Sequence, residues 1–365
     1  MRLIATGRTI RGRVGEVRAG FEDSKVDALL VTNLSNIRYL SAFTGSSAYL
    51  LVTARGGRLF IDSRYGLQAR AEVKGFGVKV YARSAVADVA SLVKARGIKS
   101  LGFEGGSVSY ATFRHIRKAL SGVRLKPLTG AVEKGRAVKD ASEIKAIRGA
   151  IEAAAPGFKE ARKRLAAGGT EKGTASAVER VVKKAGADGF SFPMLVASGP
   201  RGALPHGRPS TKKVKSGELV IVDMGVVVGG YCSDQTHTYA VGKPTARQKK
   251  IYGLVRAAHQ RAIEKVRPGV RASEVDRAAR DCIRKAGYGK RFGHGTGHGV
   301  GLDVHEGPAI GSRSKDVLEE GMVFTVEPGV YIPGWGGVRI EDMVLVTSDG
   351  CELLTESPAE LKSVL

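Results

Sequence analysis

Three histidines lie close together in residues 292–306, FGHGTGHGVGLDVHE: His294, His298 and His305. Glycines at 293, 295, 297, 299 and 301 strip side-chain bulk from around His298. Such a run is poor helix material, because a glycine inside a helix costs roughly 1 kcal/mol against alanine. It predicts backbone that must pass close to something else. His298 is expected to bind a metal, and His305 to face the same cavity.

Carboxylates supply the rest of the chemistry. In a chain with 59 Lys and Arg against 35 Asp and Glu, acids inside apolar runs stand out. Asp223 lies in VIVDMG, Asp234 in GYCSDQTHT, Glu327 in MVFTVEPG, and Glu341 and Asp342 in GGVRIED. A buried carboxylate is costly unless it is paired or binds a metal. A structural ion pair accounts for any single one of them. Several together, with a glycine-flanked histidine, point to a metal centre. Asp223, Asp234, His298, Glu327 and Glu341 make one imidazole and four carboxylates, whose negative charges balance two divalent cations. Oxygen-rich ligands suit Mn²⁺ better than a thiolate-lined structural zinc site, with Co²⁺ or Zn²⁺ as the alternatives. Two ions about 3.5–4 Å apart hold a water and bring its pKa towards neutrality, the arrangement of metal-assisted hydrolysis.

These residues need strands to carry them. Leu219 to Met224 is apolar and includes Asp223; Tyr231 to Val241 reads as one long alternating strand after the Gly229-Gly230 turn. A hairpin of the two brings Asp223 and Asp234 side by side. Met322 to Glu327, Gly329 to Ile332, Gly337 to Ile340 and Met343 to Thr347 read as short strands. Between them, Thr245 to Val266 and Ala272 to Ala286 carry helical periodicity. Upstream, Ile144, Ile147, Ile151, Ala154 and Phe158 mark a long helix that Asp140 or Ser142 caps, and Thr170 opens a second helix to about Lys184.

The first part of the chain shows strands alternating with helices. Residues 16–32 read as a helix feeding the strand Asp27 to Thr32, and Asn33 to Asn36 as a turn. Ala48 to Thr53, RLFID, Val78 to Ala82 and Ser100 to Phe103 are strands; Ala69 to Val73, Ala85 to Arg96 and Tyr110 to Leu120 are helices. The fold class is α/β (α+β), with a boundary near Lys126 to Lys139 that divides the chain into residues 1–131 and 132–365. GFEGG at 102–106 lacks the Lys-Ser/Thr of a phosphate loop.

Composition narrows the setting. Hydrophobic residues are 42% and charged residues 26%, a soluble globular balance. No apolar run approaches the roughly 20 residues that span a bilayer, so no membrane partner is expected, and no secretory signal is read at the start. Three dispersed cysteines, Cys232, Cys282 and Cys351, fit a cytoplasmic chain without disulfides. The net charge of +24 raises nucleic-acid binding. The basic residues are dispersed and lack interleaved aromatics, so nucleic acid is not the expected partner.

The strings VDMGVVVGGYCSDQTHT, HGTGHGVGLDVHE, VFTVEPGVYIP and GGVRIED resemble the pita-bread metallopeptidases, the family of Xaa-Pro aminopeptidases, Xaa-Pro dipeptidases (prolidases), methionine aminopeptidases and creatinase. NIRYLSAFTGSSAYLLVT resembles the amino-terminal domain shared by the proline-specific members and creatinase. The resemblance implies a creatinase-like N-terminal domain followed by a pita-bread catalytic domain. It further implies that Asp223 ligates one metal through both oxygens, that Asp234 and Glu341 bridge, and that His298 and Glu327 hold the second metal. Glu327 is implied to shuttle the proton of a metal-bridging hydroxide, His206 to face the substrate, and His305 to hydrogen-bond the scissile carbonyl. His294, Tyr331 and Arg339 are implied near the substrate, though Arg339 could instead pair with an acid. His237 falls where relatives often carry arginine and is given no role; His115 and His259 read as ordinary helix residues. Relatives of this plan are commonly homodimers.

Within the family the choice rests on substrate length. A dipeptidase must anchor a free carboxylate, usually with arginine, and some prolidases carry one just after a HEGP-like string. Here HEGPAIGS has Ala309. The expected activity is therefore an Xaa-Pro aminopeptidase acting on proline-containing peptides, with an Xaa-Pro dipeptidase as the alternative if Arg38 or Arg201 substitutes. A metal-free binding protein is the remoter alternative and is disfavoured by the intact ligand set.

Overall fold

The computed structural model describes residues 8–364. They divide into two compact units, residues 8–136 and residues 137–364. Among the described residues no helix is long and apolar enough to cross a membrane.

The amino-terminal unit is built on a mixed six-stranded sheet in the order Gly77–Val80, Gly56–Ile61, Tyr49–Thr53, Ala28–Val31, Ser100–Glu104, Arg124–Leu128. Ala28–Val31 is antiparallel to Tyr49–Thr53 and parallel to Ser100–Glu104. It is buried along its whole length, which is why ALLV is apolar without alternation. Helices Ala85–Ala95 and Tyr110–Ala119 bury Val89, Val93 and Ile116 against Leu30, Leu101 and Phe103. Two sequence readings change here. Asn33 to Asn36 is not a free turn: the Asn33 side chain accepts from the N–H groups of Ser35 and Asn36 and caps the helix Leu34–Ser41. The boundary reading near Lys126 also passed over a strand, Arg124–Leu128. Pro127 breaks its pattern, yet the strand pairs on one side only, where a missing N–H is tolerated.

The second unit holds two larger sheets. One runs in the order Lys362–Val364, Gln235–Val241, Leu219–Met224, Leu195–Ser198. The other runs Glu306–Ile310, Gly297–Gly299, Val323–Val326, Asp342–Val346, Cys351–Leu353, and Gly329–Ile332 with Gly336–Arg339 forms a separate hairpin. Helices Ala141–Ala166 and Glu171–Lys184 share a core with the first sheet, through Ala154, Phe158, Val178 and Val182 against Val196, Val222 and Tyr239. Helices Ala246–Ile263 and Ala272–Lys285 share a core with the second, through Val255, Ala258, Val275 and Ala279 against Phe324, Val326 and Val344. Asp140 caps the long helix in a capping box with Glu143. A bridge pairs Thr236 of the first sheet with Glu341, which precedes a strand of the second. The two sheets therefore meet at the acids singled out by the sequence.

One strand differs from its sequence pattern. Residues 231–241 form two pieces, Tyr231–Cys232 and Gln235–Val241, broken at Ser233 and Asp234. At the break the Ser233 N–H donates to Val226 O at 2.9 Å and the Asp234 N–H turns to the Met343 sulfur at 3.3 Å. Both partners lie outside residues 231–241, so periodicity within that stretch does not reveal the break.

Candidate active site

Asp223 and Asp234 come from one hairpin. In its register Asp223 faces Thr236 and Met224 faces Gln235. Directly opposed residues share a face of the sheet. Thr236 is also the link to the other sheet: its hydroxyl donates to Glu341 Oε2 at 2.6 Å, and its carbonyl accepts from the Glu341 N–H at 3.2 Å. His298 and Glu327 arrive on neighbouring backbone of the second sheet. The His298 N–H donates to Thr325 Oγ1 at 3.2 Å, and the Glu327 N–H to Thr296 O at 2.7 Å.

The glycines are clearance for this arrangement. A Cβ on Gly297 would lie 1.8 Å from the Thr325 carbonyl oxygen, and one on Gly299 would lie 1.9 Å from that of Gly307. No side chain fits at either position, so the strands beside His298 lie closer than any other residue allows.

All five side chains line one cavity of about 390 Å³. His206, His294, His305 and Arg339 line it too, together with Phe192, Pro193, Leu195, Pro205 and Arg208. Ligand atoms of Asp234, His298 and Glu341 all lie within 4.8 Å of one another. His298 Nε2 is 3.5 Å from Glu327 Oε1 and 3.6 Å from Asp234 Oδ2. The rings of His298 and His305 are 4.2 Å apart, edge to face. Tyr331 stands one hydrogen bond behind the wall, with its hydroxyl on His294 and Arg339.

The electrostatics fit a bound cation. Burial, reinforced by Asp223 and Glu327, holds the Asp234 carboxyl well above the usual carboxylate range. Burial, reinforced by Asp234, does the same to Glu341. Burial pushes Glu327 up to about 7, against the pull of Arg339. Asp223 Oδ1 is buried without a hydrogen-bond partner. His298 is short of a proton as well: burial and the neighbouring His305 push it down to about 4. Its Nδ1 lies 3.2 Å from Gly299 O, and a carbonyl can only accept, so Nδ1 carries the ring proton. Nε2 then presents a lone pair towards two carboxylates. Those short distances are thus not ion pairs of a charged histidine. They are converging donors, favourable once a cation lies among them, with the backbone carbonyl orienting the imidazole as in metal sites generally. One imidazole and four carboxylates fit a divalent, oxygen-preferring metal.

Arg339 takes the course left open in the sequence, pairing with an acid while lining the cavity. It is buried and its guanidinium is committed: Nη2 to Asp223 Oδ2, Nε to Thr236 Oγ1 at 3.1 Å, Nη1 to Tyr331 Oη at 2.8 Å and Pro205 O at 3.1 Å. This fixes the direction of a chain of hydrogen bonds. Arginine only donates, so the Tyr331 hydroxyl accepts from it and gives its own proton to His294 Nε2, 2.9 Å away. His294 Nδ1 then donates to Gly295 O at 2.8 Å. The imidazole is neutral in this scheme, in keeping with the burial that pushes it down to about 4.

Sequence reasoning missed three supports. Thr236 orients both Glu341 and Arg339. Asp276, wholly buried, accepts from Thr296 Oγ1 at 2.9 Å and pairs with Arg280 at 2.7 Å. Arg280 in turn holds the carbonyls of Phe292 and His294 at 3.1 and 2.8 Å, which clamps the start of the histidine stretch to a helix. The signal was an Asp four residues before an Arg, with the Asp inside an apolar helix stripe. The third is Arg208, whose exposed side chain lines the cavity.

The chain matches the model of metallopeptidase family M24 over residues 145–348, and that of the creatinase/prolidase N-terminal domain over residues 13–138. It is 36% identical to the Xaa-Pro dipeptidase of Pyrococcus horikoshii over 351 residues, which covers 96% of this chain and 98% of that relative. The solved structure of an Xaa-Pro dipeptidase from Bacillus anthracis is 39% identical with a TM-score of 0.94, covering 97% of this chain and 100% of that one. That of the X-Pro aminopeptidase from Thermotoga maritima is 38% identical with a TM-score of 0.86, covering 95% and 100%.

Proposed function

Because this chain belongs to metallopeptidase family M24, with a creatinase-like N-terminal domain followed by a pita-bread catalytic domain, we propose that it is an Xaa-Pro dipeptidase that hydrolyses the bond between a first residue and a carboxyl-terminal proline. The observation that carries the reading is the cavity. Its volume of about 390 Å³ lies near the lower end of the roughly 300–1,000 Å³ of ligand pockets. One end is carboxylate-rich, and Phe192, Pro193, Leu195 and Pro205 offer an apolar wall for a proline ring. Ala309 had tilted the sequence reading towards an aminopeptidase. The dipeptidase names of two of the three relatives above favour the shorter substrate.

Asp223, Asp234, His298, Glu327 and Glu341 are the residues that would hold two divalent ions, for which we take manganese from the oxygen-rich donor set. Such ions supply Lewis-acid polarisation of a carbonyl and lower the pKa of a water. The remaining work falls to the chain itself. His305, on the cavity wall beside His298, donates to the carbonyl oxygen as negative charge develops there. Glu327, partly open to the cavity, takes the proton of the attacking water and passes it to the departing proline nitrogen. That nitrogen has no hydrogen of its own in the peptide and must gain one to leave as an amine. The Arg339–Tyr331–His294 chain holds one wall rigid. His206 faces the substrate across it. Residues 132–365 would carry this chemistry. A homodimer in the cytoplasm, with peptides rather than nucleic acid as partners, completes the reading, and the three free cysteines are consistent with that compartment.

The test is hydrolysis of Leu-Pro against Leu-Pro-Gly by the full-length protein with Mn²⁺. A kcat/KM higher for Leu-Pro is the expected result; cleavage of Leu-Pro-Gly without cleavage of Leu-Pro overturns the reading in favour of the aminopeptidase.

A further inference from the structure

The geometry points to Arg208 as the cation that binds the free carboxylate of the substrate, a subsite at the rim of the cavity. The inference rests on the dipeptidase reading and gives it a specificity-determining residue.

Arg208 lies in the stretch 204–210, LPHGRPS, just after the short 3-10 helix Gly199–Ala203. The stretch is tied at both ends. On one side Arg339 Nη1 donates to the Pro205 carbonyl at 3.1 Å. On the other, Ser210 donates to the buried Glu171 through its N–H at 2.9 Å and its hydroxyl at 2.6 Å. Between them Gly207 is buried, and its N–H donates to Leu204 O at 3.0 Å. A Cβ on Gly207 would come within 3.1 Å of the Ala197 Cβ, so this residue packs inward. The hydrogen bond from Gly207 to Leu204 closes a turn over residues 204–207, which sets Gly207 against the protein interior. With Gly207 turned in, His206 and Arg208 are both exposed, and both line the cavity. The main chain of Arg208 is itself fixed: its carbonyl accepts from Arg201 Nη2 at 2.6 Å, and Arg201 Nε is anchored on Glu171 at 3.0 Å. The backbone is held while the guanidinium is left uncommitted.

The competing cations are spent or missing. Among the described residues, Arg208 and Arg339 are the arginines that line the cavity. Arg339 is engaged by Asp223, Thr236, Tyr331 and Pro205. No hydrogen bond or ion pair among the described residues engages the Arg208 guanidinium. Arg201, an early candidate for this task, is taken by Glu171. Ala309 sits directly opposite His298 in the strand register and offers a methyl group where a long cation would have reached the site.

Charge then orders the ligand. The buried end of the cavity holds Asp223, Asp234, Glu327 and Glu341, and the exposed end holds Arg208. A dipeptide is a zwitterion with its ammonium and carboxylate one peptide unit apart, so both ends lie inside so small a space. The acids repel the carboxylate and the guanidinium receives it, with a fork suited to two parallel hydrogen bonds. A capped or extended proline puts a neutral amide there and loses the charge-assisted pair.

The test compares Leu-Pro with Leu-Pro-amide in the wild type, Arg208→Gln and Arg208→Lys, all full-length with Mn²⁺. In the wild type, kcat/KM favours the free carboxylate. In Arg208→Gln that preference falls by about tenfold or more, through a higher KM for Leu-Pro, and Arg208→Lys keeps part of it. Thermal unfolding of each variant reports any loss of fold, which lowers both substrates together and leaves the ratio where it was. An unchanged ratio in Arg208→Gln, with Leu-Pro still the better wild-type substrate, overturns the anchor and leaves the dipeptidase reading standing. A wild type that shows no preference for the free carboxylate overturns both.

Discussion

Gly297→Ala is the perturbation that the structure resolves most sharply. The added Cβ lies 1.8 Å from the Thr325 carbonyl oxygen, 2.7 Å from its carbon and 2.9 Å from Thr325 Oγ1, whereas ordinary contact begins near 3.4 Å. The first two of these atoms are backbone, so no rotamer relieves the clash, and the strands must part by more than about 1.5 Å. Overpacking in a core costs typically 1–3 kcal/mol, and backbone as the obstacle places this case at the top, about 3 kcal/mol. For a unit of this size, at about 2–4 °C per kcal/mol, Tm falls by roughly 6–12 °C. Function suffers more. The same displacement pulls His298, held on Thr325 Oγ1, away from Glu327, held on Thr296 O. A misplacement near 1 Å costs on the order of 100-fold in rate. Differential scanning calorimetry and Leu-Pro hydrolysis measure both effects. Gly293→Ala, whose Cβ meets nothing within 4 Å, is the control and stays within about 0.5 kcal/mol. A Gly297→Ala protein with wild-type Tm and activity refutes the reading of these glycines as clearance.

Two further outcomes are expected. Thr236→Val removes the hydroxyl that orients Glu341 and receives Arg339; metal affinity measured by titration calorimetry falls about 10- to 100-fold, and equal affinity removes Thr236 from the site. His237, stacked on Phe158 and hydrogen-bonded to Tyr239, is pushed down to about 4 by burial. The native state keeps it neutral while the unfolded state takes a proton below about 6.5, so its contribution is lost as pH falls from about 6.5 to 4, by up to about 3 kcal/mol. Urea unfolding at pH 7.5 and 4.5 should show a smaller acid loss in His237→Gln than in the wild type; identical losses contradict the assignment.

How far the residues announced this structure depends on the range of the interaction. Strands buried on both faces, such as Leu219–Met224, and capped helices, such as Ala141–Ala166 behind Asp140, carry their signal locally and match the sequence reading closely. Four of the five proposed ligands stand out in the sequence as acids in apolar runs, and all five line one cavity. What the sequence did not reveal is set by partners distant in the chain. The break at Ser233 and Asp234 depends on Val226 and Met343, which periodicity within 231–241 cannot sense. The commitment of Arg339 depends on Asp223, 116 positions away. Arg208 was overlooked because a lone arginine in a loop reads as a solvated charge until Gly207 is seen packed beneath it. The choice of substrate is not legible from Ala309 alone, because the residues that line the cavity come from stretches far apart in the chain.

The central claim is that Asp223, Asp234, His298, Glu327 and Glu341 together hold divalent metal. The most direct measurement is calorimetric titration of Mn²⁺ into chelator-treated full-length protein. Two ions per chain are expected in the wild type, with at least one lost in Asp234→Ala and in His298→Ala proteins that keep the wild-type circular dichroism. A wild type that binds no divalent ion, or an Asp234→Ala variant that binds two as tightly as the wild type, contradicts the claim.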